Sequence, residues 1–295
     1  MTAGLSALLA WLPLLLTGES DFGRGVRALL IYLFAGALLS CLGHVLLPSE
    51  LPRMLGAGAV AVCAGLVLRF GVFWYLTAYV LLFWYVLSPL FSASLGLSET
   101  LEGHLVGTVG LLAYWSFSCL RSRDLGANHS TEARDDAVPW RLVWRYSMVL
   151  SATTMVGTGL GGRILSADPT LMTQASLNII APSVDMTLQS GLLRAVFGIG
   201  GLAIGFYLGL LFPNFVFYQV IIAICAFVAL GFFQVNIGFL TGAFAVMFAF
   251  PIGMPGGEAA HAVGNERLLA ELLGIGFACL AIFALGRKAD PEPSS

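Results

Sequence analysis

A chain of 295 residues in which 58% are hydrophobic and only 10% charged, with a mean hydropathy of +0.90, cannot cover a water-soluble surface; soluble domains carry about 25% charged residues. A net charge of −2 and a pI near 6.1, without any polybasic tract, exclude the electrostatic footprint of a nucleic-acid-binding protein. The sequence therefore predicts an all-α, polytopic transmembrane helix bundle whose solvent is the lipid bilayer.

Eleven apolar segments follow one another along the chain, at 2–17, 26–46, 53–69, 72–91, 102–120, 143–162, 170–187, 192–212, 214–232, 235–251 and 267–286. The first lacks a basic leader and an A-x-A-like cleavage site, and it reads as a retained span rather than a signal peptide. Breakers mark the boundaries: Pro48 and Pro52, Pro213-Asn214, Gln234 to Asn236, and the Pro/Gly-rich stretch 251–257. Helix 72–91 is rich in aromatics suited to packing or to the lipid interface. Residues 121–140, with Asp124, Glu132, Arg134, Asp135 and Asp136, form the one polar linker. The segmentation is thus a first repeat at 1–120, a cytoplasmic linker at 121–140, a second repeat at 141–288 and a disordered tail at 289–295. The five cysteines fall in or beside apolar runs without CxxC spacing and read as small hydrophobes.

With the linker in the cytoplasm, eleven basic residues fall inside and three, Arg53, Arg163 and Arg267, outside. The positive-inside rule then sets the N-terminus out and the C-terminus in. A shift of 167 residues superposes Arg27 on Arg194, His104 on Glu271 and Gly107 on Gly274. Five spans of the first half match the last five of the second, and helix 143–162 is unmatched. Matched helices run in the same direction, so the repeats are parallel, related by an axis along the membrane normal. The missing first-half partner of helix 143–162 fits a natural trimming or a start upstream of Met1.

Asn178 to Arg287 carries a recognisable pattern: Ala181-Pro-Ser-Val-Asp185, then Leu193-Arg194-Ala-Val-Phe-Gly198-Ile-Gly-Gly201, a helix ending at Pro213, and Asn265-Glu-Arg267 before Gly274 and Gly276. This resembles the fusaric acid resistance protein-like superfamily, which includes aromatic carboxylic acid exporters of bacterial inner membranes, and within it a short bacterial branch without large soluble domains. The resemblance implies a bacterial inner-membrane location, an organic-anion substrate and a periplasmic adaptor protein as partner. It departs from the family in the missing first helix and the missing cytoplasmic domain.

Gln174, Asn178 and Asp185 lie within about 40° of one helical face, and a polar stripe inside a membrane helix marks a substrate or ion path unless it serves helix–helix hydrogen bonds. The matching first-half positions, Ala7, Trp11 and Gly18, are not polar. Arg27 and Arg194 are candidates for binding a carboxylate substrate bidentately, or simple positive-inside anchors, or, for Arg194, a structural pair with Asp185. His104 and Glu271 are titratable groups at membrane depth, hence candidates for proton coupling; Arg267, four residues before Glu271, also allows an ordinary i,i+4 pair. Gly201, Gly205 and Gly209 form a ladder for close helix approach, within the chain or in a homo-oligomer.

Glu258-Ala-Ala-His261 has a spacing used in carboxylate-bridged metal sites, but it occurs once, in a Pro/Gly-rich loop, so no metal is expected. No G-x-x-x-x-G-K-[ST] or G-x-S-x-G motif is present, and neither an enzyme activity nor a cofactor is expected. The expected function is secondary, proton-driven export of small organic anions, aromatic carboxylates among them. The alternatives are a passive anion channel and a non-transporting scaffold subunit of an efflux complex.

Overall fold

The computed structural model describes residues 2–17, 21–124, 138–165, 171–180, 188–232, 237–254 and 256–286. Among them every regular element is helical. The α-helices are α1 (Thr2–Thr17), α2 (Phe22–Leu46), α3 (Glu50–Leu66), α4 (Val72–Leu95), α5 (Leu97–Asp124), α6 (Trp140–Ile164), α7 (Leu171–Ile180), α8 (Leu188–Leu211), α9 (Phe215–Phe232), α10 (Ile237–Gly253) and α11 (Gly257–Gly286). Each overlaps one of the apolar segments of the sequence. Phe22–Leu46, Glu50–Phe70, Val72–Ala93 and Gly191–Leu211 are long and apolar enough to cross a membrane. This is a membrane-type helical bundle.

Local chemistry explains the ends. Asp21 caps α2, its carboxylate accepting from the Gly23 and Arg24 amides at 2.7 and 3.3 Å. The backbone turns from α4 into α5 at one residue, Gly96, with φ +101°, a conformation that favours glycine. Two expectations are corrected. Arg121 to Asp124 continue α5 instead of opening the linker, and α11 starts at Gly257, ten residues before 267. Glu258 and His261 therefore belong to a helix and not to a loop. Pro255 precedes it, and Gly256 and Gly257 have φ of +66° and +71°.

The chain forms two compact units, residues 1–155 and 156–295, and the division falls inside α6 rather than in the polar linker. In the first unit α4 is the central helix, with α1, α2, α3 and α5 packed on it. Its aromatics Phe73, Tyr75, Tyr79, Phe83, Trp84 and Tyr85 are all buried, so they are core and not an interfacial belt. Tyr75 and Tyr146 share a hydrogen bond between hydroxyls. In the second unit α8 packs chiefly on α10, α7 on α11, and α9 on α10.

The α8–α10 contact is the glycine ladder at work. A Cβ at Gly201, Gly205 or Gly209 would lie 2.3, 2.4 or 2.1 Å from the carbonyl oxygens of Gly242, Val246 and Phe250. The constant offset of 41 residues makes the two helices parallel, as two helices joined through a returning α9 must be. The ladder is thus used within the chain.

Both units are apolar outside. Ile31, Phe34, Leu38, Leu42 and Val45 line the outer face of α2, and Val196, Ile204, Tyr207 and Leu211 that of α8. Ser40, Thr77, Ser88, His104, Thr173 and Gln174 are buried instead. That distribution suits lipid, because a bundle in hydrocarbon must satisfy its polar groups internally.

Candidate functional site

Among the described residues, the second unit holds buried Arg194, Arg267 and Glu271. On α11, Arg267 and Glu271 stand four residues apart on one face, 4% and 2% exposed. From α7, Gln174 (1% exposed) presents Oε1 to the Arg267 Nη1, which donates at 2.9 Å. From α8, Gly198 leaves the space occupied by Glu271: a Cβ there would lie 3.0 Å from Oε1 and 3.7 Å from the Thr241 methyl of α10. Arg267 also interacts electrostatically with Glu271. Four helices thus converge on one carboxylate and its neighbours.

The placement of Arg194 follows from helix direction. Phe206 meets Gly264 and Gly198 meets Glu271, so α8 and α11 run antiparallel. Arg194, buried at 4% exposure, lies one turn before Gly198, whereas Arg267 lies one turn to the other side of Glu271. At 1.5 Å per residue the two arginine Cα levels are about 12 Å apart along the bundle, with Glu271 between them.

Close backbone contacts fix α7 in this arrangement. A Cβ at Gly274 would lie 2.5 Å from the Ala175 Cβ and 3.0 Å from the Met172 carbonyl oxygen, so only glycine lets α11 come this near. Ser176 Oγ donates to the Gly274 carbonyl at 3.3 Å, and the Thr158 and Thr173 hydroxyls lie 3.0 Å apart. Met172, Leu165 and Ala270 form a buried hydrophobic cluster.

The first unit holds a different centre, built on His104, which is fully buried. Its Nε2 lies 3.1 Å from the Leu33 carbonyl oxygen and its Nδ1 2.8 Å from Ser6 Oγ. A carbonyl only accepts, so Nε2 carries the proton and Nδ1 accepts from the Ser6 hydroxyl; the neutral imidazole satisfies both bonds. The ring stacks on Trp84 at 5.0 Å between centroids and 28° between planes, with Tyr32 at 5.2 Å. Trp84 Nε1 donates to Ser40 Oγ at 2.8 Å, and Ser40 Oγ to the Gly36 carbonyl at 3.0 Å.

Of the residues singled out from sequence, Gln174 and Glu271 both meet Arg267 in the second unit, Arg194 is buried one turn of α8 before Gly198, and His104 sits in the first. Arg27 is exposed on α2, its Nε donating to the Gly23 carbonyl of its own helix at 3.1 Å. The backbone of Asn178 belongs to α7, while its side chain and Asp185 lie outside what the structure describes. The stripe joining Gln174 to Asp185 can therefore be followed only at Gln174. Thr241 carries no signal in the sequence, and Arg267 was visible there only as an i,i+4 partner of Glu271. The apolar run that marks the last span starts at 267, whereas α11 starts at Gly257, so Arg267 lies within the helix and not at its first residue. His261, on the newly defined first turns of α11, is exposed and lies edge-on to Phe206 at 5.7 Å.

No protein-family model matches the chain, and neither a curated protein nor a solved structure matches it.

Proposed function

We propose that the chain is a multi-pass protein of the bacterial inner membrane that exports small organic anions, aromatic carboxylates among them, by proton-driven secondary transport through its second unit. One observation carries this reading. Arg194, Glu271 and Arg267 are buried along one line of a unit whose outside is apolar. Ionisable groups inside a membrane bundle are costly and mark substrate or proton paths. Guanidinium groups suit a carboxylate, which they bind bidentately. Glu271, between them, is the group to exchange protons as anions pass.

The architecture of this proposal is eleven spans in two parallel repeats, with the N-terminus outside and the C-terminus in the cytoplasm. Its support lies in the packing within each unit. α1 packs on α5 as α7 packs on α11, α2 packs on α4 as α8 packs on α10, and His104 and Glu271, 167 residues apart, each sit where four helices meet. Gly107 and Gly274 both receive a neighbouring backbone, Ala3 in one case and Met172 to Ser176 in the other. The resemblance to fusaric acid resistance-like exporters supplies the substrate class and a periplasmic adaptor as partner. The two units differ in chemistry, and the charged one is taken as the path.

Purified protein in liposomes, loaded with benzoate and given a pH gradient, tests the function. Gradient-dependent benzoate efflux is expected. Efflux indifferent to the gradient would mean a passive channel. No flux from folded protein would mean a scaffold subunit.

A further inference from the structure

We infer that Gln174 and Arg267 form a carboxylate clamp, the element that selects the anion in the transport path; this rests on the transport reading above. The orientation of the Gln174 amide is fixed by its partner. A guanidinium only donates, so the atom facing Arg267 Nη1 at 2.9 Å is Oε1, and the Nε2 end is turned elsewhere. Nε2 is buried and, among the described residues, has no hydrogen-bond partner. Leaving such a donor unpaired is costly, so an occupant that accepts from it is favoured. The site therefore offers amide N–H groups and a guanidinium on adjacent helices, donors of one kind held at one level of the bundle.

The ligand that suits this arrangement is a planar acceptor with two oxygens and one negative charge, which is a carboxylate. Glu271 is a countercharge that Arg267 already has; when Glu271 takes up a proton an anionic ligand takes its place, which a neutral amide or alcohol does not do. The clamp is rigid because α7 is locked on α11 at Gly274 and on α6 through Thr158 and Thr173. Among the described residues, Glu271 on α11 acts on Arg267, Thr241 on α10 flanks Gly198, and Arg194 on α8 lies about 12 Å along the bundle from the Arg267 level.

The test is equilibrium dialysis of the purified full-length protein in detergent against labelled benzoate, with benzamide as the neutral counterpart. Wild type is expected to bind benzoate and not benzamide. Gln174→Glu keeps side-chain size and an acceptor for Arg267 but supplies a fixed carboxylate, and is expected to weaken benzoate binding tenfold or more, the scale of one charge-assisted hydrogen bond. Arg267→Lys keeps the charge but loses the planar fork, and binding is again expected to weaken. Unchanged melting temperatures separate these losses from misfolding. Equal benzoate binding by wild type and Gln174→Glu, or equal binding of benzamide and benzoate, would overturn the clamp while leaving anion transport intact. Absence of any organic-anion binding or flux in wild type would overturn the transport reading and the clamp with it.

Discussion

His104 on α5 lies face to face with Trp84 on α4, ring centroids 5.0 Å apart, with the backbone of Gly36 on α2 closing over its edge. A Cβ at Gly36 would come within 2.5 Å of the imidazole Cε1, so the small residue and the ring are matched. Gly36→Ala is expected to displace the ring, weaken its bonds to Ser6 and Leu33, and destabilise the protein by about 1–3 kcal/mol. Gly276→Ala, where a Cβ meets nothing within 4 Å, is expected to be neutral or to stabilise by about 0.5–1 kcal/mol. Thermal unfolding in detergent of both variants checks the contrast.

The α8–α10 ladder makes a sharper demand, because the opposing atoms are backbone. Gly205→Leu would drive a side chain into the Val246 carbonyl and separate two parallel helices that touch along their length. Its expected result is loss of the folded monomer. Gly205→Ala should be folded but lower in melting temperature, by the cost of overpacking, about 1–3 kcal/mol or more. Size-exclusion profiles and melting curves in detergent read both outcomes.

Arg267 and Gln174 are coupled across α11 and α7, and the coupling is measurable apart from transport. Arg267→Met leaves the Gln174 Oε1 facing an apolar group, and Gln174→Leu leaves a guanidinium N–H without its acceptor. Each single change is expected to destabilise by about 1–3 kcal/mol, and the double variant by less than the sum of the two. Additive losses in the four melting curves would mean that the 2.9 Å contact contributes nothing to stability.

The sequence was legible where the bilayer dictates the pattern. An apolar run overlaps each of the eleven α-helices among the described residues, and the i,i+4 spacing of Gly201, Gly205 and Gly209 pointed to a close helix contact, whose other side the fold shows to be α10. What apolar length could not reveal was where polar ends stop. Asp124 still belongs to α5, and Glu258 to His261 belong to α11, because helices run past the hydrocarbon once water can solvate their side chains.

That shortfall hid the chief residue of the site. With the last helix read from 267, Arg267 looked like an interfacial charge; with α11 beginning at Gly257 it lies in the third turn, buried beside Gln174. Its i,i+4 relation to Glu271 was visible, but only the fold shows α7, α8 and α10 closing around the pair. The reverse holds for the α4 aromatics, whose composition fits a lipid interface or a core equally well. Burial by α1, α2, α3 and α5 decides for the core.

The central claim is that Glu271, between two buried arginine levels, couples anion movement to protons. The most direct test is benzoate efflux from proteoliposomes under an imposed pH gradient, comparing wild type with Glu271→Gln at equal reconstitution. The account predicts that the variant loses gradient-driven efflux tenfold or more, about 1.4 kcal/mol or greater in the rate, while still binding benzoate. Gradient-driven efflux by Glu271→Gln at the wild-type rate would contradict it.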